Sequence, residues 1–353
     1  MVKILDRYVF IEVVKYFFLS LLTFLVLFIV IDSVSNVDIF SKLGLKEGFT
    51  YVFARVPLYT SRILPIAMLI SAMVTLSVFS STSELVAVKS LGISVYRFSI
   101  PILVLSVLVS LFSLFLQEFA IPKSVKLAES IKYELKAKEK IPATLSSIWF
   151  KDGNKFIYVN SFDPSRKEAK RVSIFIFSKG FEPLKRIDAL EGKNLEGKKW
   201  IFKNCIVRDL RKMTFKKIKE KVLLLKVGIK EIKYSQPQPE TMELFKLYIT
   251  AKQMSKLGYN VSDMLVNLYS RLSLSLLPIV VAVMGIPLGM YNPRNKKGYT
   301  VVVAALLIVA MWITISFFLS LGKSGVLPPF YASFAPVLLF FSVGLILLAR
   351  VET

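Results

Sequence analysis

The chain has 353 residues, 54% of them apolar, and a formal net charge of +23 at pH 7. It contains no histidine and a single cysteine, Cys205. Histidine acid–base chemistry, histidine zinc sites and an intrachain disulfide are therefore excluded. A mean hydropathy of +0.59 marks a membrane protein, and the placement of its apolar segments sets the architecture.

A bilayer core of about 30 Å takes roughly 20 apolar residues per helix. Segments meeting that demand are Val14–Ile31, Val56–Phe79, Phe98–Leu116, Leu265–Met290, Val301–Leu321 and Pro329–Ala349. They fall as three, then a wide polar gap, then three. No signal-peptide pattern precedes the first, which is long enough to span. Residues 1–13 read as an amphipathic lead-in, with Ile4, Leu5, Tyr8, Val9 and Val13 on its apolar side. Asp32–Arg55 reads as a polar loop. Pro57 and Pro65 lie inside the second span, where neighbouring helices can satisfy the backbone groups they free.

Ser81 and Glu84 have capping-box spacing between the second and third spans, and Gly92 is placed to end the short helix they start. That helix offers Leu85, Val88 and Leu91 on one side. Glu84 either caps its own helix or pairs with a cation on another subunit.

Ile121–Pro122 breaks the third span, and Lys123–Lys140 reads as an exposed helix. The period then changes to two. Strands are predicted at Ser147–Lys151, Lys155–Phe162, Arg171–Ser178, Leu184–Glu191, Lys199–Leu210, Met213–Lys217 and Lys221–Ile229. Turns are expected at Asp152–Gly153–Asn154, Asp163–Pro164 and Lys179–Gly180. Cys205 reads as a small core residue. Ile174–Phe177 and Trp200–Phe202 are apolar on both faces, whereas a sheet solvated on one side alternates. Either the second face is covered or it takes lipid chains. Pro237 and Pro239 close this region, Met242–Leu257 forms an amphipathic helix, and Gly258 stops it.

The expected domains are residues 1–119 with three spans and a short helix over 81–92, an all-β insert with flanking helices over 120–262, and residues 263–353 with three more spans. Basic residues in short loops cluster at Lys3/Arg7, Lys89/Arg97, Arg294/Lys296/Lys297 and Arg350, which places both termini in the cytoplasm and the insert outside. The insert carries most of the positive charge. Outside the cytoplasm it is not a nucleic-acid site; solubility and anionic lipid headgroups account for the charge better. Gly322–Lys323–Ser324 is not a phosphate loop, since Phe317 stands where the first glycine belongs. No catalytic constellation and no cofactor emerge. Arg271 and Arg62 lie near the outer headgroups by helix rise, where an arginine fork suits lipid phosphate.

The run Ser83-Glu84-Leu85, Ala87, Gly92-Ile93-Ser94 resembles that of the lipopolysaccharide export permeases, the LptF/LptG family. So do Leu5-Asp6-Arg7-Tyr8, the stretch Trp149–Asn154 with Phe156 and Tyr158, and Ile286-Pro287-Leu288 with Asn292-Pro293-Arg294. The second and third of these lean to LptG and LptF respectively. The resemblance implies a polytopic helical membrane protein with a periplasmic β-jellyroll-like domain and no ATPase activity of its own. It implies four partners: a cytoplasmic ATPase dimer of LptB type, a second permease of LptF type, a single-span LptC-type bridge protein, and lipopolysaccharide taken from the outer leaflet of the inner membrane. Ser81, Glu84, Leu85, Val88, Leu91 and Gly92 would couple to the ATPase. The family's lipid-binding lysines are missing around Ile29–Asp38 and Pro57, but Lys132 matches a basic family position and joins Arg62 and Arg271 as a lipid-phosphate candidate. A lipid-modifying enzyme or a membrane scaffold with a basic outer domain remains the alternative.

Overall fold

A computed structural model describes residues 2–138, 145–152, 155–163, 168–177, 183–196, 199–209, 214–225, 239–256, 261–290 and 299–351. The expectations for Gly153, Pro164, Lys179–Gly180, Pro237, Gly258 and Asn292–Arg294 fall outside these residues. Two compact units emerge: 1–129 with 239–353, and 130–238.

The first unit is helical. Its elements are α1 (Val2–Ser35), α2 (Val37–Leu43), α3 (Leu45–Ser81), α4 (Glu84–Ser90), α5 (Val95–Phe115), a π-helical segment (Leu116–Ala120) and α6 (Ile121–Lys138), which runs on past the unit's edge. After the insert come a 3-10 turn (Pro239–Thr241), α7 (Leu244–Lys256), α8 (Ser262–Ser275), α9 (Leu277–Met290), α10 (Tyr299–Lys323) and α11 (Pro329–Ala349). Five helical stretches are long and apolar enough to cross a membrane, and the bent pair α8–α9 makes a sixth.

Several elements differ from the sequence-based expectation, each for a physical reason. The expected loop Asp32–Arg55 is helical almost throughout, interrupted at Asn36 and at Gly44, whose φ of 112° suits only glycine. Its polar residues conceal a buried face, with Ile39, Tyr51 and Ala54 enclosed. Pro122 does not break the third span. A proline ring collides with the carbonyl four residues earlier, and here the chain widens into the π segment immediately before it and continues as helix. The fourth span, expected to be continuous, bends by 41° between α8 and α9. Pro278 has no N–H for the Leu274 carbonyl, and at the bend the Ile279 N–H donates to Leu276 rather than to Ser275, whose carbonyl is taken by the Ser110 hydroxyl at 2.6 Å. The flanks 120–129, 239–256 and 261–262, expected with the insert, pack on the spans. Ile121 and Val125 join the bundle core, and Leu247 and Ala251 bury against Met264 and Leu268.

The bundle is organised around α3, which packs on α1 and α9. Without a hydrophobic force between helices in lipid, close backbone approach supplies the attraction. Gly285 and Gly289 of α9 permit it: a Cβ at Gly289 would lie 2.8 Å from the Met73 carbonyl oxygen, and one at Gly285 would lie 3.2 Å from the Ala72 Cβ. By contrast, α1 and α10 show long apolar stripes, including Phe18, Leu22 and Val26 on one and Leu306, Val309 and Ile313 on the other.

The second unit carries one antiparallel sheet, β1 (Leu145–Asp152), β2 (Lys155–Asp163), β3 (Glu168–Phe177), β4 (Pro183–Glu196), β5 (Lys199–Asp209) and β6 (Thr214–Leu224), paired strictly in chain order. The last two expected strands are a single strand, β6, and the part of the second beyond 225 lies outside the described residues. Its charged middle resembled a break because nearly every β6 side chain is exposed. One face is apolar, built from Ile157, Val172, Ile174, Ile187, Trp200 and Phe202.

The inward-facing parity slips once along each of the strands β2 to β5. In β3, Ala169 is inward on one side of Lys170–Arg171 and Val172 and Ile174 on the other; in β4, Gly192 and Asn194 exchange with Ile187 and Ala189 across Leu190–Glu191; in β5, Trp200 and Phe202 exchange with Cys205 across Lys203–Asn204. Arg171 and Asn204 have φ of 49° and 52°. These slips align across the sheet, since Lys170 pairs with Glu191 and Glu191 with Lys203. One transverse crease thus lets a single face gather side chains of both parities, so segments that look two-faced in sequence feed one core.

Gly289→Val places a branched side chain against the α3 backbone. Overpacking of this kind costs about 1–3 kcal/mol, and a lowered melting temperature of the detergent-purified protein is expected. Burial also pushes the Cys205 thiol up from its usual pKa, leaving less thiolate at neutral pH. Native protein should resist maleimide and unfolded protein should react at once.

Candidate functional site

The short helix between the second and third spans is positioned by the chain around it. Phe79 from the end of α3 sits between Tyr8 of α1 and Phe98 of α5, with ring centroids 5.5 and 5.4 Å away. Leu85 is buried in the same cluster and Val88 packs against it. Asp6 and Arg97 form an exposed ion pair at 3.6 Å, which solvent leaves weak.

The helix starts at Glu84 rather than at Ser81, and the expected capping box is absent. The Ser81 hydroxyl donates to the Val78 carbonyl at 2.8 Å, so it finishes α3 instead. The residue before Glu84 is Ser83, held at φ 63° in the left-handed region with no side-chain cap. An L residue there costs about 1 kcal/mol. Glu84 does not cap its own helix: its carboxylate accepts from the Thr82 hydroxyl at 2.8 Å and lies beside the Tyr8 hydroxyl. Gly92 ends the helix as expected. At φ 74° its N–H donates to the Lys89 carbonyl at 2.9 Å, and Ile93 donates to Val88 at 3.3 Å, the paired bonds of a Schellman cap.

The outward side therefore differs from the expected one. Leu85 and Val88 face the bundle, while Val86, Lys89 and Leu91 are exposed, with Val86 55% and Leu91 65% accessible. The outcome is a rigidly seated helix showing two apolar side chains beside a held carboxylate.

The three lipid-phosphate candidates do not gather. Arg62 is exposed on α3. Lys132 is half-buried on α6, within the other compact unit. Arg271, only 7% exposed, donates through Nη1 to the Met242 carbonyl and through Nη2 to the Pro239 carbonyl, both at 2.7 Å. Beside it, Leu114, Phe115, Phe119, Phe245, Tyr248 and Tyr269 line an apolar cleft of about 670 Å³.

The profile of the lipopolysaccharide export system permease LptF/LptG family matches residues 7–350. The chain belongs to that family. It is a membrane permease of lipopolysaccharide export. Among curated relatives, an uncharacterized protein of Aquifex aeolicus is 26% identical over 302 residues, 80% of this chain and 83% of that one. The lipopolysaccharide export permease LptG of Haemophilus influenzae is 24% identical over 161 residues, 45% of each chain. LptG of Escherichia coli K12 is 23% identical over 128 residues, 36% of this chain and 35% of that one.

In this LptF/LptG permease one cationic site escaped the sequence reading. Arg55 of α3 donates through Nε to the Tyr59 hydroxyl at 3.1 Å, lies over the rings of Tyr51 and Tyr59, and approaches Asp32 of α1 at 3.9 Å. Counted only as a loop charge, it was overlooked. The signal was the four-residue spacing Tyr51–Arg55–Tyr59, which puts all three on one helical face.

The left-handed Ser83 gives a direct test of the turn. Ser83→Val should lower the melting temperature, reflecting about 1–2 kcal/mol of added strain, while Ser83→Gly should hold or raise it. Equal melting for the two variants would mean the turn is unconstrained.

Proposed function

We propose that this chain is the LptG-type subunit of an ATP-driven lipopolysaccharide exporter, without ATPase activity of its own. Both termini and α4 face the cytoplasm, and the β unit is periplasmic. Partners under this reading are a cytoplasmic ATPase dimer of LptB type, a second permease of LptF type, and a single-span LptC-type bridge protein.

The observation carrying the proposal is the seating of α4. A short helix with Glu84 held by Thr82 and with Val86 and Leu91 outward is a plug for a groove bearing a cation. The left-handed Ser83 and the Schellman cap at Gly92 hold both ends of that plug, so force applied to it reaches α3 and α5 rather than bending a loop. Exposed apolar stripes on α1 and α10 fit a second permease across a lipid-filled cavity. Arg55, clasped by tyrosines and 3.9 Å from the Asp32 carboxylate, joins Arg62 and Lys132 as a contact for lipid phosphate. Acyl chains would pass to the apolar face of the creased sheet.

Both LptG relatives cover under half their length in these alignments, so the LptG assignment rests on the partial match and on the motif at Trp149–Tyr158.

Co-purification from a co-expressing host tests the proposal. Wild type should bring down an active ATPase subunit, and Glu84→Ala should lose binding or at least tenfold in lipid-stimulated turnover. Wild-type association with normal coupling in Glu84→Ala would remove Glu84 from the mechanism.

A further inference from the structure

Among the described residues, Arg271 is the one arginine of the spans that is both buried and bound on each terminal nitrogen to main chain. The carbonyls it holds, Pro239 and Met242, belong to the turn by which the chain re-enters the helical unit from the β unit. Two residues further on, the Leu244 amide, first in α7, donates to the Glu118 carboxylate at 2.9 Å. Glu118 lies in the π segment, immediately before the stretch Ile121–Glu129 by which the chain leaves for the β unit. One six-residue turn is thus gripped from two spans by opposite charges, the cation on its carbonyls and the anion on its amide. Each charge satisfies backbone that the medium cannot, and Glu118 and Glu240 counter the arginine's charge.

The supports of this grip are themselves tied down. Gln117 donates to the Ser61 hydroxyl of α3 at 3.1 Å, and Ser110 donates to the Ser275 carbonyl at the break between α8 and α9. The π turn and the broken span, the two irregular places in the bundle, are therefore fastened to each other and to its central helix. The helix runs on through Pro122 behind a widened turn, and Glu118 is one of the residues within it.

We infer that Arg271 and Glu118 are positioning residues of a fixed joint. They clamp the turn Pro239–Leu244, where the returning chain re-enters the helical unit, to α8 and to the π segment from which the chain departs, so that both ends of the excursion to the β unit are held together within the bundle. The inference rests on the transport function proposed above. It also assigns Arg271 to the protein's own backbone rather than to lipid phosphate.

The test uses the full chain co-expressed with its partner subunits, in a Cys205→Ser background. A spin label at Lys246→Cys, an exposed position on α7, reads the joint directly. Photo-crosslinking of lipopolysaccharide to the β unit reads transfer, and phosphate release reads the ATPase. Arg271→Leu should mobilise the label and cut lipid transfer at least tenfold while ATPase turnover stays within twofold. Arg271→Lys, which keeps the charge but not the fork, should fall between and guards against simple misfolding of the leucine variant. Closing a Glu118→Cys/Leu244→Cys pair, without the label, with a short bis-maleimide should restore the transfer that the open pair lacks. An immobile label in both Arg271 variants overturns the inference, as does a cross-linked pair less active than the open one. If wild type binds no ATPase, the transport proposal falls, and the label's mobility alone still judges the joint.

Discussion

Hydrocarbon offers no partner for a backbone N–H or C=O, so every departure from the regular helix must be repaired by the protein itself. Two such departures shape the bundle. At the bend beside Pro278 the Ile279 N–H turns to Leu276 and leaves the Ser275 carbonyl without its helical donor, and Ser110 supplies one at 2.6 Å. Pro122 forces the turn before it to widen. Because a repair must come from a neighbouring helix, each irregularity becomes a cross-link between elements. The close approach of α3 and α9 at Gly285 and Gly289 then fixes where the broken span lies. Stability and irregularity are coupled here rather than opposed.

Much of this was open to inspection of the residues, because the strongest signals are the longest. Three apolar runs, a period-two insert and three more runs read correctly, as did the helix-ending role of Gly92. Boundaries failed where composition and burial part company. Asp32–Arg55 is polar enough to pass for a loop, yet Ile39, Gly48, Tyr51 and Ala54 are buried, and those four suffice for a helical wall. Serine capping failed for a different reason. Ser81 has the spacing of a cap, but its hydroxyl is already satisfied by the preceding turn at Val78, a choice between two local bonds that spacing alone does not decide. Arg271, expected to meet lipid phosphate, holds main-chain carbonyls that lie 29 and 32 residues away in sequence, a pairing that no local spacing reveals.

The β unit shows how a pattern can look ambiguous while the structure is not. Alternation is a property of an uninterrupted strand. A crease across β2 to β5 shifts it by one residue, so Ala169 and Val172 share a face, as do Phe202 and Cys205. The paired exposed residues that mark the shift, Lys170–Arg171, Leu190–Glu191 and Lys203–Asn204, are visible in the sequence once the crease is known. Two of these pairs contain a residue in the left-handed region. Neither is glycine, so the sheet accepts about 1 kcal/mol of backbone cost at each to turn a flat surface into a curled one. On one side of the crease the gathered face stacks Trp200 on Phe202 at 6.2 Å and sets Phe162 against Trp200 at 5.9 Å, and on the other it continues with Ile157, Val172, Ile174 and Ile187, which a flat alternating sheet would have turned to the opposite side.

Strain and repair are distributed unevenly along the chain, and the distribution fits a machine that transmits force. A left-handed serine lies at the start of α4, where contact with another subunit is proposed. The helix is anchored behind by Leu85 and by the rings of Tyr8, Phe79 and Phe98, so it has little freedom to absorb a push. The path from there runs through α3, a single 37-residue helix, whose two internal prolines leave it continuous. Midway along it, at Ser61, α3 meets the π segment through Gln117. Rigid helix fastened to satisfied irregularity is the arrangement expected when displacement, rather than local flexibility, is what must cross the bundle. A chain built only to anchor that unit would need neither the held carboxylate at one end nor the doubly gripped turn at the other.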